Sequence, residues 1–112
     1  KCLTGNGGIY TIDGWQNGAW GVMPGVGLAG NFVRMYDKYK SGDIDGARDD
    51  FENMMPLLWF EDQAFDYFVA CEKEILKRKG VIASSKVREP GLMLDEAGLR
   101  ELDALIGRLR RF

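Results

Sequence analysis

The sequence predicts an α/β chain that is mostly helical by length, with two short parallel strands ahead of a run of amphipathic helices. Three observations carry this. Trp20-Gly21-Val22-Met23 is the one interior run that reads as a buried strand, being short, apolar and bounded by Gly18 before and Pro24-Gly25 after. Lys1 to Thr4 reads as a second strand, ended by the turn cluster Gly5-Asn6-Gly7-Gly8. Beyond Asn31, apolar residues recur at helical spacing to the end of the chain. The resulting order of strand, loop, helix, strand, loop, helix is the repeating unit of a parallel sheet or barrel, because parallel strands need a crossover between them.

Each element has its own signals. From Ile9 to Asn17 the residues Ile9, Ile12 and Trp15 fall on one helical face, and Gly18 can take the left-handed conformation that closes the helix. Strand Trp20 to Met23 then runs into the glycine turn Gly25-Val26-Gly27-Leu28-Ala29-Gly30, so Gly14 to Asn31 is the stretch where chemistry is expected. Asn31 is expected to cap a helix with Phe32, Met35, Tyr36 and Tyr39 inward and Gly42 as its stop. Asp43 caps the next, with Ile44, Ala47, Phe51, Met54, Met55 and Leu58 on one stripe and Pro56 expected to kink or break it. A helix over Glu61 to Lys79 is expected to turn Phe65, Phe68, Val69, Ile75 and Leu76 inward, with acids at its start and cations at its end. Residues 81–90 read as a loop. The last helix, Asp95 to Arg110, carries Leu99, Leu102, Leu105, Ile106 and Leu109, and its stripe is expected to meet that of the helix before it. Two parallel strands with about five helices leave both sheet edges uncovered, so the missing neighbours are expected in residues that precede Lys1.

Composition narrows the function classes. In 112 residues, 46% hydrophobic content supports a real core, and fifteen basic against seventeen acidic residues provide no basic stripe for nucleic acid or an anionic membrane. No apolar run approaches a membrane span, and the chain is expected to be cytoplasmic. Cys2 and Cys71 lack metal-ligand spacing, so neither a metal nor a cofactor is expected. There is no histidine, which leaves carboxylate, tyrosine or lysine for acid/base work. No pair of carboxylates is read in an apolar context, and Lys38, Lys40, Lys73, Lys77 and Lys79 are placed on polar helix faces or ends. Trp15, Trp20 and Trp59 are read as core or subunit-contact residues.

The run Gly25 to Gly30 matches G-x-G-x-x-G between a strand and a helix, the local context of a dinucleotide fingerprint. The acid-ended second strand of such a site is absent, since Asp43 and Asp45 open a helix. A tight turn packed closely on its neighbours is the commoner reason for such glycines. A nucleotide-phosphate-binding module and a non-catalytic helical interaction domain are the alternative functions.

Taken together, Leu3-Thr4-Gly5-Asn6, then a helix, Gly18-Ala19-Trp20-Gly21-Val22-Met23, Tyr36-Asp37-Lys38-Tyr39-Lys40-Ser41-Gly42-Asp43 and a helix with Pro56 resemble the C-terminal part of the dihydrodipicolinate synthase and N-acetylneuraminate lyase family. Arg78-Lys79-Gly80-Val81, Val87-Arg88-Glu89-Pro90 and Leu94-Asp95-Glu96 resemble its closing segment. The resemblance implies the last two strands and helices of a (β/α)₈ TIM barrel over residues 1–42 and a C-terminal helical extension over 43–112. It implies a lyase (aldolase, dehydratase or synthase) that joins a lysine amine to the ketone of pyruvate or another 2-keto acid as a Schiff base. That lysine and its tyrosine partner are expected upstream, with no catalytic residue in this chain, which by itself is expected to be inactive. Gly5, Asn6, Met23, Pro24 and Gly25 are the implied substrate-binding residues at the strand ends. Asn6 stands where many members have aspartate and Pro24-Gly25 replaces small polar residues, which brings sugar-acid dehydratases and aldolases in beside synthases. The partners implied are the 2-keto acid, the N-terminal barrel segment and further copies, as a tetramer or dimer.

Overall fold

Strands of two residues form where the sequence is short and apolar between turns: β1 is Leu3–Thr4 and β2 is Gly21–Val22 in a computed structural model that describes residues 1–112. They pair in parallel, Leu3 opposite Gly21 and Thr4 opposite Val22. The Trp20 and Met23 amides extend the ladder, donating to the carbonyls of Cys2 (2.8 Å) and Thr4 (2.7 Å). The crossover is α1, Thr11–Gln16, which ends at Gly18 with φ 86°. After β2 a 3-10 turn, Val26–Leu28, leads directly into α2, Ala29–Lys40. Then follow α3 (Ile44–Glu61), α4 (Phe65–Arg78) and α5 (Glu96–Arg108). No helix is long and apolar enough to cross a membrane.

One core joins both parts of the chain. Ile12, Trp15, Leu28, Phe32 and Met35 from the α/β part meet Ala47, Met54, Leu57, Leu58, Ile75, Leu102 and Leu105 from the helices. The α2–α3 interface is its centre, and the Trp15 ring packs edge-on against Tyr36 at 5.2 Å. Asp43 caps α3 as expected, accepting from the Gly46 amide at 3.0 Å, and Asp95 caps α5 in the same way, accepting from the Gly98 amide at 2.7 Å.

Four expectations are corrected. Asn31 does not cap α2, which begins at Ala29; its side chain instead donates to the Arg111 carbonyl at 3.0 Å. Pro56 does not break α3, which runs on to Glu61. Both Pro56 and Glu52, whose carbonyl loses its helical partner, are on the exposed face, where solvent can replace the missing bond. α4 turns only part of the expected face inward: Ile75 is buried as expected and Phe68, Val69 and Leu76 are half-buried, but Phe65 is 81% exposed and Ala70, Cys71, Glu72 and Glu74 are buried instead. Finally, α5 lays its Leu102–Leu105 stripe mainly on α3 rather than on α4, because α4 is engaged by the turn after β2.

Candidate functional site at the strand ends

Because β1 and β2 are parallel, the loops that leave them emerge at the same end of the sheet. The first loop bends sharply. Asn6, Gly7 and Gly8 have φ of 53°, 63° and 94°, so three successive residues occupy the left-handed region, and Gly8 closes against the Phe32 ring where a Cβ would collide. The Gly5 carbonyl accepts from the Gly8 amide at 3.2 Å, and the Asn6 side chain donates to Asp62 at 3.3 Å, at the α3–α4 corner.

The second loop is held by α4. The Gly27 amide donates to Glu72 at 2.6 Å, and Lys79 reaches back to donate to the Gly27 carbonyl. A Cβ on Gly27 would stand 2.6 Å from Ile75, and one on Gly25 would enter the Glu72 carboxyl group, so both glycines are required by close approach. The amide that a nucleotide phosphate would need is therefore already bound to an internal carboxylate. The α3–α4 pair thus lies across both loops, Asp62 under the first and Glu72 under the second.

Of the five residues implied as substrate-binding, all five belong to these two loops, with different surroundings. Gly5 is half-buried with open space around its Cα. Asn6 is exposed and Met23 is 61% exposed, its amide closing the ladder. Pro24 faces an apolar groove of about 340 Å³ shared with Trp15, Trp20, Val22, Phe32 and Val33, and Gly25 is buried against Glu72. Met23 and Asn6 point the only long side chains of the five, and no hydrogen bond joins the two loops beyond the ladder.

Beneath the loops lies a feature absent from the expectations. Glu61 is 1% exposed and Glu72 is buried beside it, each with one carboxyl oxygen lacking any hydrogen-bond partner. Burial, with the nearby Glu72 charge, pushes the Glu61 carboxyl up to about 9, so Glu61 holds a proton at neutral pH. Burial raises Glu72 as well, opposed by the Gly27 amide and Lys79. Cys71 is pushed up to about 12 by burial and then by the surrounding glutamates, and is an inert thiol. For Glu74, burial works against ionisation, yet bonds from Ser85 and Arg78 hold it below the usual carboxylate range. Lys79 is half-buried, and burial lowers it against the pull of Glu72. The expectation that no carboxylate pair sits in an apolar context is thus overturned, as is the solvated placing of Lys79. The available signal was the helical spacing of Glu72 with Ile75 and Lys79, which places them on one face three and four residues apart. No three acidic or thiol groups converge as metal ligands.

No family model matches this sequence, and no curated protein does. Among solved structures, a dihydrodipicolinate synthase from Rhodopseudomonas palustris superposes with a TM-score of 0.90 at 33% identity, covering 96% of this chain and 35% of that one. A candidate dihydrodipicolinate synthetase from Pseudomonas aeruginosa shares the fold, with a TM-score of 0.83 at 24% identity over 96% of this chain and 37% of that one. The segment order read from the sequence and the three-dimensional match agree: the chain carries the fold of the dihydrodipicolinate synthase family, over little more than a third of the length of the members it matches.

Proposed function

We propose that the chain is the C-terminal part of a Schiff-base-forming lyase of the (β/α)₈ barrel type, acting on pyruvate or a related 2-keto acid. The observation that supports it is the parallel β1–β2 pair, whose following loops lie at one end of the sheet in a chain that superposes on a dihydrodipicolinate synthase. In such barrels the strand ends build the active site. The chemistry begins when a lysine amine adds to the ketone and water leaves, giving a protonated imine that draws electrons from the neighbouring carbon–carbon or carbon–oxygen bond.

In this reading the chain binds and orients rather than reacts. Gly5 and Gly25 bring bare backbone up to the keto acid, Met23 gives an apolar wall, and Asn6 and Pro24 shape the lip. Glu72 and Lys79 hold the Gly25–Gly27 turn in place from below. The amine comes from a barrel strand outside these residues, which also covers the exposed strand edge, and the assembled protein is a cytoplasmic dimer or tetramer. The nucleotide-binding alternative is opposed by the Glu72 carboxylate on the Gly27 amide.

Borohydride reduction in the presence of pyruvate tests the proposal. A stable adduct is expected on the protein that carries the upstream barrel segment, and none on residues 1–112 alone. An adduct on Lys1 or Lys79 of the isolated chain would overturn it.

A further inference from the structure

A second concavity lies away from the strand ends, between the polar face of α2, the middle of α3 and the chain after α5. It measures about 450 Å³, within the range of small-ligand sites, and Met54 is the one hydrophobic residue in its lining. Four cations face it, Arg34, Lys38, Arg110 and Arg111, against the carboxylates of Asp37 and Asp50, which leaves two positive charges in a chain whose net charge is -2. Asp50 is shared by two of the cations, Lys38 at 2.7 Å and Arg110 at 3.7 Å. Arg34 and Arg111 form no ion pair and no side-chain hydrogen bond, so both guanidinium forks are free.

The arrangement is built rather than incidental. The Asn53 side chain donates to the Arg108 carbonyl at 3.1 Å and accepts from the Arg110 amide at 2.9 Å. Asn31, which was expected to cap α2, donates to the Arg111 carbonyl. Two asparagines, one on each flanking helix, thus bind the backbone of the segment after α5 and fix its arginines over the cleft. The Asn31 and Asn53 side chains are used for this positioning, which no helix-forming role explains.

We propose that this cleft binds a small phosphate-bearing metabolite as a dianion. A guanidinium fork matches the spacing of phosphoryl oxygens and binds them in pairs, so two free forks facing one polar cavity suit a phosphate ester better than a single carboxylate. The two excess positive charges match a phosphoryl dianion, and the polar lining gives little for a hydrophobic ligand. The area is a bounded cleft, not a stripe, which separates it from a nucleic-acid surface.

Inorganic phosphate and pyrophosphate, titrated into the 112-residue chain at ionic strength held constant with chloride, test this by NMR of arginine Nε and asparagine side-chain amides. Saturable shifts are expected at Arg34, Arg111, Asn31 and Asn53. Arg34→Gln and Arg111→Gln should each weaken pyrophosphate binding about tenfold, the loss of one charge-assisted contact. Arg34→Lys, which keeps the charge and loses the fork, should weaken it less and serves if Arg34→Gln does not fold. Asp50→Asn removes the competing carboxylate and should tighten binding severalfold. The proposal is overturned by shifts that chloride reproduces, by arginine variants that bind as well as the wild type, or by weaker binding to Asp50→Asn. Succinate binding as tightly as pyrophosphate would also overturn it and make this a dicarboxylate site.

Discussion

The two parts of the chain differ in what they bury. Residues 1–42 leave apolar side chains outside: Leu3, Trp20, Met23, Val26 and Val33 are all more than half exposed, on or near a sheet only two strands wide. Residues 43–112 also leave apolar side chains outside, Phe65 at 81% and Trp59 at 67% among them, but they alone bury charge, with Glu61, Glu72 and Glu74 among the helices. Parallel sheets are stable with both faces and edges protected, and this two-stranded pair has that protection only in part. A buried carboxylate is tolerated where something specific answers it. Here the Gly27 amide and Lys79 answer Glu72, and Ser85 with Arg78 answers Glu74, whereas Glu61 is answered by keeping its proton. The difference teaches that the helices, which share one core with the α/β part, use their buried carboxylates to hold a loop of that part.

Five substitutions break or sharpen this comparison. The largest effect is expected at Leu102, fully buried between α5 and α3: Leu102→Ala should lower stability by about 2–5 kcal/mol in chemical denaturation. A loss below about 1 kcal/mol would mean that the helical part does not depend on its own core. Next is Glu61. Its carboxyl is raised from the ordinary value to about 9, so the folded chain holds a proton that the unfolded chain releases above about pH 4.5. Stability carried by this group is therefore full below pH 4.5 and falls as pH rises towards 9, where it levels. Glu61→Gln removes the titration and should stabilise by about 3 kcal/mol at pH 7 relative to its effect at pH 4. Parallel pH–stability curves for wild type and variant would show that Glu61 is ionised in the fold.

Smaller changes test the join between the parts. Gly27→Ala drives a methyl group against Ile75 and should cost about 1–3 kcal/mol, with the largest amide shifts in NMR at Val26–Leu28 and on α4. Gly30→Ala, whose Cβ would meet only the end of the Arg34 side chain, is the control within the same turn and should stay close to wild type. The smallest effect is expected on the open face: Val33→Asp, at an exposed site of α2, should change the stability of the 112-residue chain by less than about 0.5 kcal/mol. In the longer protein proposed above, the same substitution should be strongly destabilising. A large loss in the short chain would show that Val33 is already covered.

Much of this was legible in the residues. Element order, the parallel pairing, the aspartate cap of α3, the left-handed closure at Gly18 and the family resemblance all follow from local signals, because turn chemistry, capping and hydrophobic period act over a few residues. The candidate site was legible only as a pair of loops: Gly5, Asn6, Met23, Pro24 and Gly25 were picked out, but what holds them was not. The face that α4 buries was decided by tertiary structure. Phe65 and Phe68 make a more hydrophobic stripe than Glu72 and Glu74, and pattern alone favours the phenylalanines. The glycine turn overrules that pattern, because the bare backbone of Gly25 and Gly27 comes close enough to α4 for a carboxylate to satisfy the Gly27 amide, and no hydrophobic side chain can do so. The same holds for Asn31 and Asn53, whose partners lie more than fifty residues away along the chain. Such long-range bonds leave no local signature, since their geometry exists only once α2, α3 and α5 have packed.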